Sequence, residues 1–233
     1  MNIIGDIAGR FDELMLLIDK LPEGKIILVG DLVDRGPKSK EVIQYCIDNK
    51  DNVIALRGNH EDMFIDWYYN HSQQGDRPVY QPGVFGMNGG GCTLKSYTGL
   101  DPIVFKDLHG RFPDHTDVPE EHIKYLDNLP LFYETDDLII SHAPINSNYK
   151  GEWFDLVNNL DRYRVANCLW NRRPATRRKD NKLQIHGHNA GYNITYDKDK
   201  QGIYCVNVDS SRGDKLTALH YPTMEVFEQE YLK

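Results

Sequence analysis

A chain of 233 residues with 40% hydrophobic and 27% charged residues can bury one sizeable core, and a single domain over 1–233 is the expected organisation. The net charge of -8 argues against general affinity for nucleic-acid polymers or anionic membranes, and no apolar run approaches the roughly 20 residues of a membrane span. Without a basic and apolar leader, and with Cys46, Cys92, Cys168 and Cys205 too scattered for a zinc knuckle or a disulfide framework, the expectation is a cytoplasmic protein with reduced thiols.

Residues 2–4, 25–29 and 52–56 read as short buried strands, each followed by a polar, glycine-bearing turn. Between them, 11–20 and 39–49 carry apolar residues at helical spacing, Leu14, Leu17 and Ile18 and then Val42, Ile43, Cys46 and Ile47. The resulting β-α-β-α-β order predicts parallel pairing, with the polar residues that follow the strands gathered at one sheet edge. Residues 61–70 look helical, the stretch on to Asn88 reads as an excursion, and 118–129 predicts a helix with Pro119 in its first turn. Beyond it, 131–133, 138–141, 183–186, 203–208, 216–220 and 225–227 suggest successive strands joined by turns such as DKDKQG, forming a second sheet packed on the first. SRGD at 211–214 reads as a hairpin turn.

Five polar clusters stand at strand ends: GD at 5–6, GDLVDRG at 30–36, RGNHE at 57–61, SHAP at 141–144 and HGHN at 186–189. Each alone is weak, since an aspartate after a strand commonly caps a helix. Together they offer carboxylate, amide and imidazole donors suited to a hard or borderline cation. Glu61, at a helix start, reads as a cap. Arg172, Arg173, Arg177 and Arg178 form a local basic stretch, and His71, His109, His115, His122 and His220 lack strand-end context and read as surface or structural residues.

GDLVDRG followed by GNHE, with a later His before Ala and a final Gly-His, resembles the phosphoprotein phosphatase family of binuclear metallophosphoesterases. NGGG at 88–91 and WNRR at 170–173 are most similar to the bacteriophage lambda-type serine/threonine protein phosphatases. The resemblance implies an α/β fold, the calcineurin-like metallophosphoesterase β-sandwich flanked by helices. It implies that Asp6 binds metal 1, that Asp31 bridges both metals, and that Asn59, His142 and His188 complete metal 2. Asn59, Arg35 and Arg172 would hold the substrate phosphate, and His60, oriented by Asp34, would protonate the leaving oxygen. Two divalent ions, manganese first with iron or zinc as alternatives, would sit about 3.5 to 4 Å apart and hold a hydroxide for direct attack on phosphorus. His186 falls outside the pattern and reads as supporting or core. NGGG reads as a tight turn before a helix rather than as a phosphate nest.

The departure is Ala8. The family has a second metal 1 ligand, histidine, at this position, so metal 1 should be weak or absent. Three accounts stay open: an introduced substitution, a natural enzyme with a lopsided site, or a phosphate-binding protein without turnover. The expected activity is hydrolysis of phosphomonoesters, with phosphoserine or phosphothreonine proteins as substrates. The alternatives are a nucleotide hydrolase of the same fold, acting on dinucleoside polyphosphates or cyclic nucleotides, and an inactive phosphate binder. Any of these takes a phosphoprotein or a phosphorylated small molecule as partner.

Overall fold

The computed structural model describes residues 1–71, 83–99, 115–145, 169–178 and 180–233. Three parallel strands, β1 (Asn2–Ile4), β2 (Ile26–Leu28) and β3 (Val53–Ala55), alternate with α1 (Phe11–Ile18) and α2 (Ser39–Asp48), as the periodicity predicts. Their residues are almost continuously apolar because both faces of this sheet are covered. Ile4, Leu28, Leu14, Leu17, Val42 and Ile43 pack on the helical side. Ile3, Ile27 and Leu56 turn the other way, onto Leu138, Ile140, Ile185 and Val206 of the second sheet.

α3 (Asn59–His71) follows β3, and a π-helical turn at Gly86–Gly90 leads into α4 (Gly91–Thr98), so NGGG is a tight turn that opens a helix. Phe64 stacks on Phe85 with ring centroids 5.3 Å apart and on Trp67 at 5.9 Å, which ties α3 to this turn. α5 (Glu120–Asp127) takes Pro119 as its N-cap residue, just ahead of the first turn.

The second half holds β4 (Phe132–Glu134), β5 (Leu138–Ser141), β6 (Leu183–His186), β7 (Thr195–Asp199), β8 (Gly202–Asn207), β9 (Lys215–His220) and β10 (Glu225–Glu230). Among the described residues two five-stranded sheets result, ordered β10-β9-β1-β2-β3 and β4-β5-β6-β8-β7. The sandwich flanked by helices is therefore present, with one correction. β9 and β10 do not join the second sheet, because β9 pairs antiparallel with β1, Ile3 opposite Leu219. Ser211–Gly213 is accordingly a 3-10 turn on a crossover between sheets rather than a hairpin. β7 escapes periodicity because all five of its residues are exposed, and it forms an edge strand paired to β8 across the DKDKQG turn.

Candidate metal and phosphate site

The ends of β1, β2, β3, β5 and β6 meet at one rim, where open sheets of this kind gather their polar residues. Asp31, His142 and His188 bring one donor atom each to within 4.8 Å of one another. Asp6 stands behind them, accepting the backbone N–H of His188 on both carboxylate oxygens, at 3.1 and 3.2 Å. The close approach requires glycine: a Cβ on Gly187 would fall 2.1 Å from Asp6 Oδ1, and one on Gly58 would fall 2.3 Å from Asp31 Oδ1. Ala8, Asp31, Asp34, Arg35 and His188 all adopt positive φ, between 50° and 72°. Such backbone costs about 1 to 3 kcal/mol per residue and persists only where its surroundings hold it.

Glu61 supplies much of that hold. Its carboxylate is fully buried and accepts the N–H groups of Gly58, Asp31, Leu32 and Val33 at 2.7 to 3.2 Å. The Gly58 bond is the cap expected at the start of α3. The other three fix the β2 turn and are invisible to sequence because they cross 28 to 30 residues. Burial and the Asp31 charge raise this carboxyl, while the Gly58 and Leu32 donors pull it down.

His142 donates from Nδ1 to the Val29 carbonyl at 3.1 Å, which leaves Nε2 without a proton. That nitrogen lies 2.9 Å from Asn59 Oδ1 and 3.2 Å from Asp31 Oδ1. Three acceptors thus converge with no hydrogen among them, an arrangement that repels itself unless a cation sits between. His188 Nε2 is buried with no hydrogen-bond partner, a second orphan lone pair at the same place. Burial keeps both imidazoles neutral, lowering His142 and taking His188 down to about 3. Asp31 stays ionised at about 2: burial opposes this, and the His60 charge together with the His60 backbone N–H on Asp31 Oδ1 outweighs it. Neutral imidazoles, an amide oxygen and an ionised carboxylate fit a divalent metal ion. Asp6 and Asp31 provide less for a second ion, because the methyl of buried Ala8 donates nothing.

Beside this cluster His60 Nδ1 lies 2.6 Å from Asp34 Oδ2, and its Nε2 is 3.0 Å from Arg35 Nη2 and 3.6 Å from Asp31 Oδ2. Asp34 also accepts the Thr93 hydroxyl at 2.6 Å, and Thr93 touches Ser39 at 3.1 Å. Neither Thr93 nor Ser39 is marked by any local pattern. Burial raises Asp34 and the His60 and Thr93 donors draw it back. Burial also works against the charged form of His60, but Asp31 and Asp34 lift it to about 9.

Arg35 is exposed on the β2 turn, its N–H on the Gly89 carbonyl at 3.3 Å, so NGGG supports the arginine loop. Arg172 reaches the rim, donating to the His188 carbonyl at 3.4 Å, and Trp170 sets its ring edge-on to His188. Arg177 and Arg178 are paired with Asp199 and Asp180. His186 is buried at the end of β6, donating Nδ1 to Gly187 O at 2.8 Å. His122 is buried between Tyr97 and Gln44, and His220 bonds Asn2. His109, Cys168 and the His71 side chain lie outside the described residues. Cys46, Cys92 and Cys205 are free thiols.

The family model described as calcineurin-like phosphoesterase matches residues 2–206. The chain belongs to the calcineurin-like phosphoesterase family. It is a metallophosphoesterase, an enzyme class that works with divalent metal ions. It is 28% identical over 252 residues to the asymmetrical bis(5'-nucleosyl)-tetraphosphatase PrpE of Anoxybacillus flavithermus, covering 96% of this chain and 91% of the relative. Over 66 residues it is 45% identical to the symmetrical bis(5'-nucleosyl)-tetraphosphatase of Neisseria gonorrhoeae, 27% of this chain and 24% of that one. Among solved structures, a protein provisionally called a diadenosine tetraphosphatase matches with TM-score 0.59 and 16% identity, over 100% of this chain and 94% of that one. A serine/threonine phosphatase of Saccharomyces cerevisiae similar to human PP5 matches with TM-score 0.59 and 16% identity, over 100% and 80%. Among the described residues no helix is long and apolar enough to cross a membrane.

Proposed function

We propose that this phosphoesterase hydrolyses a phosphoanhydride bond of dinucleoside polyphosphates, releasing a nucleoside monophosphate and a triphosphate from the tetraphosphate. The observation that carries the substrate class is the likeness to asymmetrical tetraphosphatases over nearly the whole of both chains. The Ala8 position points the same way. A weak metal 1 handicaps attack on a monoester dianion more than attack on an anhydride phosphoryl group, which carries less charge for cations to neutralise.

Asp31, Asn59, His142 and His188 would hold one divalent ion, manganese in preference to iron or zinc, and Asp6 with Asp31 would hold the other. When bound, these ions supply Lewis-acid polarisation of the phosphoryl oxygens and acidify water. Arg35 and Arg172, from two separate loops, clamp the equatorial phosphate oxygens, Arg35 through its planar fork, and the Asn59 amide adds a contact.

In the substrate-free protein Arg35 Nη2 lies 3.0 Å from His60 Nε2, and the guanidinium charge works against the protonated ring that Asp31 and Asp34 favour. A phosphate that draws the guanidinium away relieves this opposition, and the proton on Nε2 goes to the leaving oxygen. Asp34 keeps the ring aimed by accepting Nδ1–H. Water adds across the P–O–P bridge, one phosphate gaining the hydroxyl and the other the proton.

The serine/threonine phosphatase reading draws on NGGG, WNRR and likeness of fold at 16% identity, and it ranks second. A manganese-supplemented panel of diadenosine tetraphosphate, phosphopeptides, a phosphomonoester and cyclic nucleotides separates the two. The expected result is AMP and ATP from the first, with much slower release from the rest. Preferential phosphopeptide turnover would replace the proposal with the second reading. Silence on every substrate beside measurable phosphate binding would make the protein a binder.

A further inference from the structure

We propose that Thr93 is a positioning residue: its hydroxyl fixes the Asp34 carboxylate and, through it, the direction of the His60 ring, and the NGGG turn serves the enzyme by delivering that hydroxyl. The inference rests on His60 as the proton donor, as proposed above, and not on the identity of the substrate. Thr93 lies in the first turn of α4 and Ser39 opens α2, and both are fully buried, as Asp34 is. Thr93 Oγ1 donates to Asp34 Oδ1 at 2.6 Å. The same oxygen accepts the Asp34 N–H at 2.8 Å, a proton shared with Ser39 Oγ at 3.1 Å, and it faces Ser39 Oγ at 3.1 Å. A hydroxyl has one proton, so with the Thr93 proton on Asp34 the bond between the two hydroxyls is donated by Ser39. The order therefore runs from Ser39 to Thr93 to Asp34 Oδ1, while Asp34 Oδ2 accepts Nδ1–H of His60.

This is not the usual use of a hydroxyl on a helix. Ser96 and Thr98, also on α4, turn theirs to the Thr93 and Leu94 carbonyls of their own helix at 2.6 and 3.0 Å. The Thr93 bond instead spans 59 positions of sequence. The turn ahead of it holds the next residue of the same loop: Gly89, at φ 108°, accepts the Arg35 N–H on its carbonyl, and a Cβ there would fall 2.9 Å from Arg35 Cγ. Asp34 and Arg35 are consecutive left-handed residues, at φ 72° and 61°, and both hang by their N–H groups from the 89–93 segment.

Without the Thr93 hydroxyl, Oδ1 of a fully buried carboxylate loses that donor. The carboxylate is then free to turn about its Cβ–Cγ bond, the His60 ring follows, and Nε2 no longer points at one place. Misplacement of this kind costs rate while leaving substrate binding and metal in place.

Kinetics of the manganese-loaded whole chain, on whichever substrate of the panel it turns over fastest, test the assignment. Thr93→Val, of nearly equal size, is expected to lower kcat roughly 10- to 100-fold with KM within about twofold and manganese content unchanged, and Thr93→Ser to recover most of the loss. In a His60→Asn background the same change should cost nothing further, because no ring remains to be aimed. Native kcat in Thr93→Val, or equal losses in the two backgrounds, overturns the role. Should Thr93→Val not fold, Ser39→Ala removes only the donor to Thr93: a loss of roughly 2- to 10-fold that vanishes in His60→Asn is expected, and no loss or an equal loss overturns the role. A readout without turnover is the Nδ1 proton of His60, which a short bond to a carboxylate moves far downfield in nuclear magnetic resonance. In the chain loaded with diamagnetic magnesium that signal should be missing from His60→Asn, kept in Thr93→Ser and shifted or broadened in Thr93→Val, and an unmoved signal in Thr93→Val overturns the proposal. Native kcat in His60→Asn overturns the proton-donor reading itself, and the positioning role with it.

Discussion

His60 stands between Asp34, which takes its Nδ1–H, and Arg35, which covers its Nε2, so its proton is governed by what the arginine does. Its ordinary value of 6.5 is raised to about 9 in the fold. A raised histidine carries its proton below that value and loses it as pH rises through it. Turnover that needs the proton should therefore be sustained at neutral pH and fall away above about 9, and a kcat profile measures this. His60→Asn should cost roughly 10²- to 10⁴-fold in kcat, remove the alkaline limb, and leave manganese content unchanged. Loss of metal together with activity would instead make His60 part of the metal cage. Ala8 belongs to the same scale: a methyl group among donors was legible in the sequence as a fault in the set.

At the scale of elements, the rim is built by strand ends whose turns are strained and held by one buried carboxylate. Removing it should unfasten them. Glu61→Ala should cost about 3 kcal/mol in chemical denaturation, because four buried N–H groups lose their acceptor. The parallel strands, α1, α2 and α3 follow from apolar runs and helical spacing, and their terminal polar residues were readable with them. β7 was not, since an edge strand of exposed TYDKD carries no buried face to leave a period. The turn at NGGG was readable from its glycines, but not that it backs the loop of Arg35.

For the whole molecule, metal binding and folding should be coupled, since convergent acceptors at the rim repel one another in the empty protein. Manganese at about 100 times its dissociation constant should raise stability by about 2.7 kcal/mol, and a chelator should reverse the gain in the same thermal melt. No change on either addition would mean that the rim holds no metal worth the name. What the chain determined by itself was local: five polar clusters, each at the end of a segment whose side-chain period fixes strand or helix within about ten residues. What only the tertiary structure decided was which distant segments touch. The antiparallel pairing of β9 with β1 sets the 208–209 segment against Gly5, and Thr93 and Glu61 reach loops far from their own. Local period cannot encode these contacts, because each arises from backbone hydrogen bonding and close packing between chains of residues that share no sequence neighbourhood.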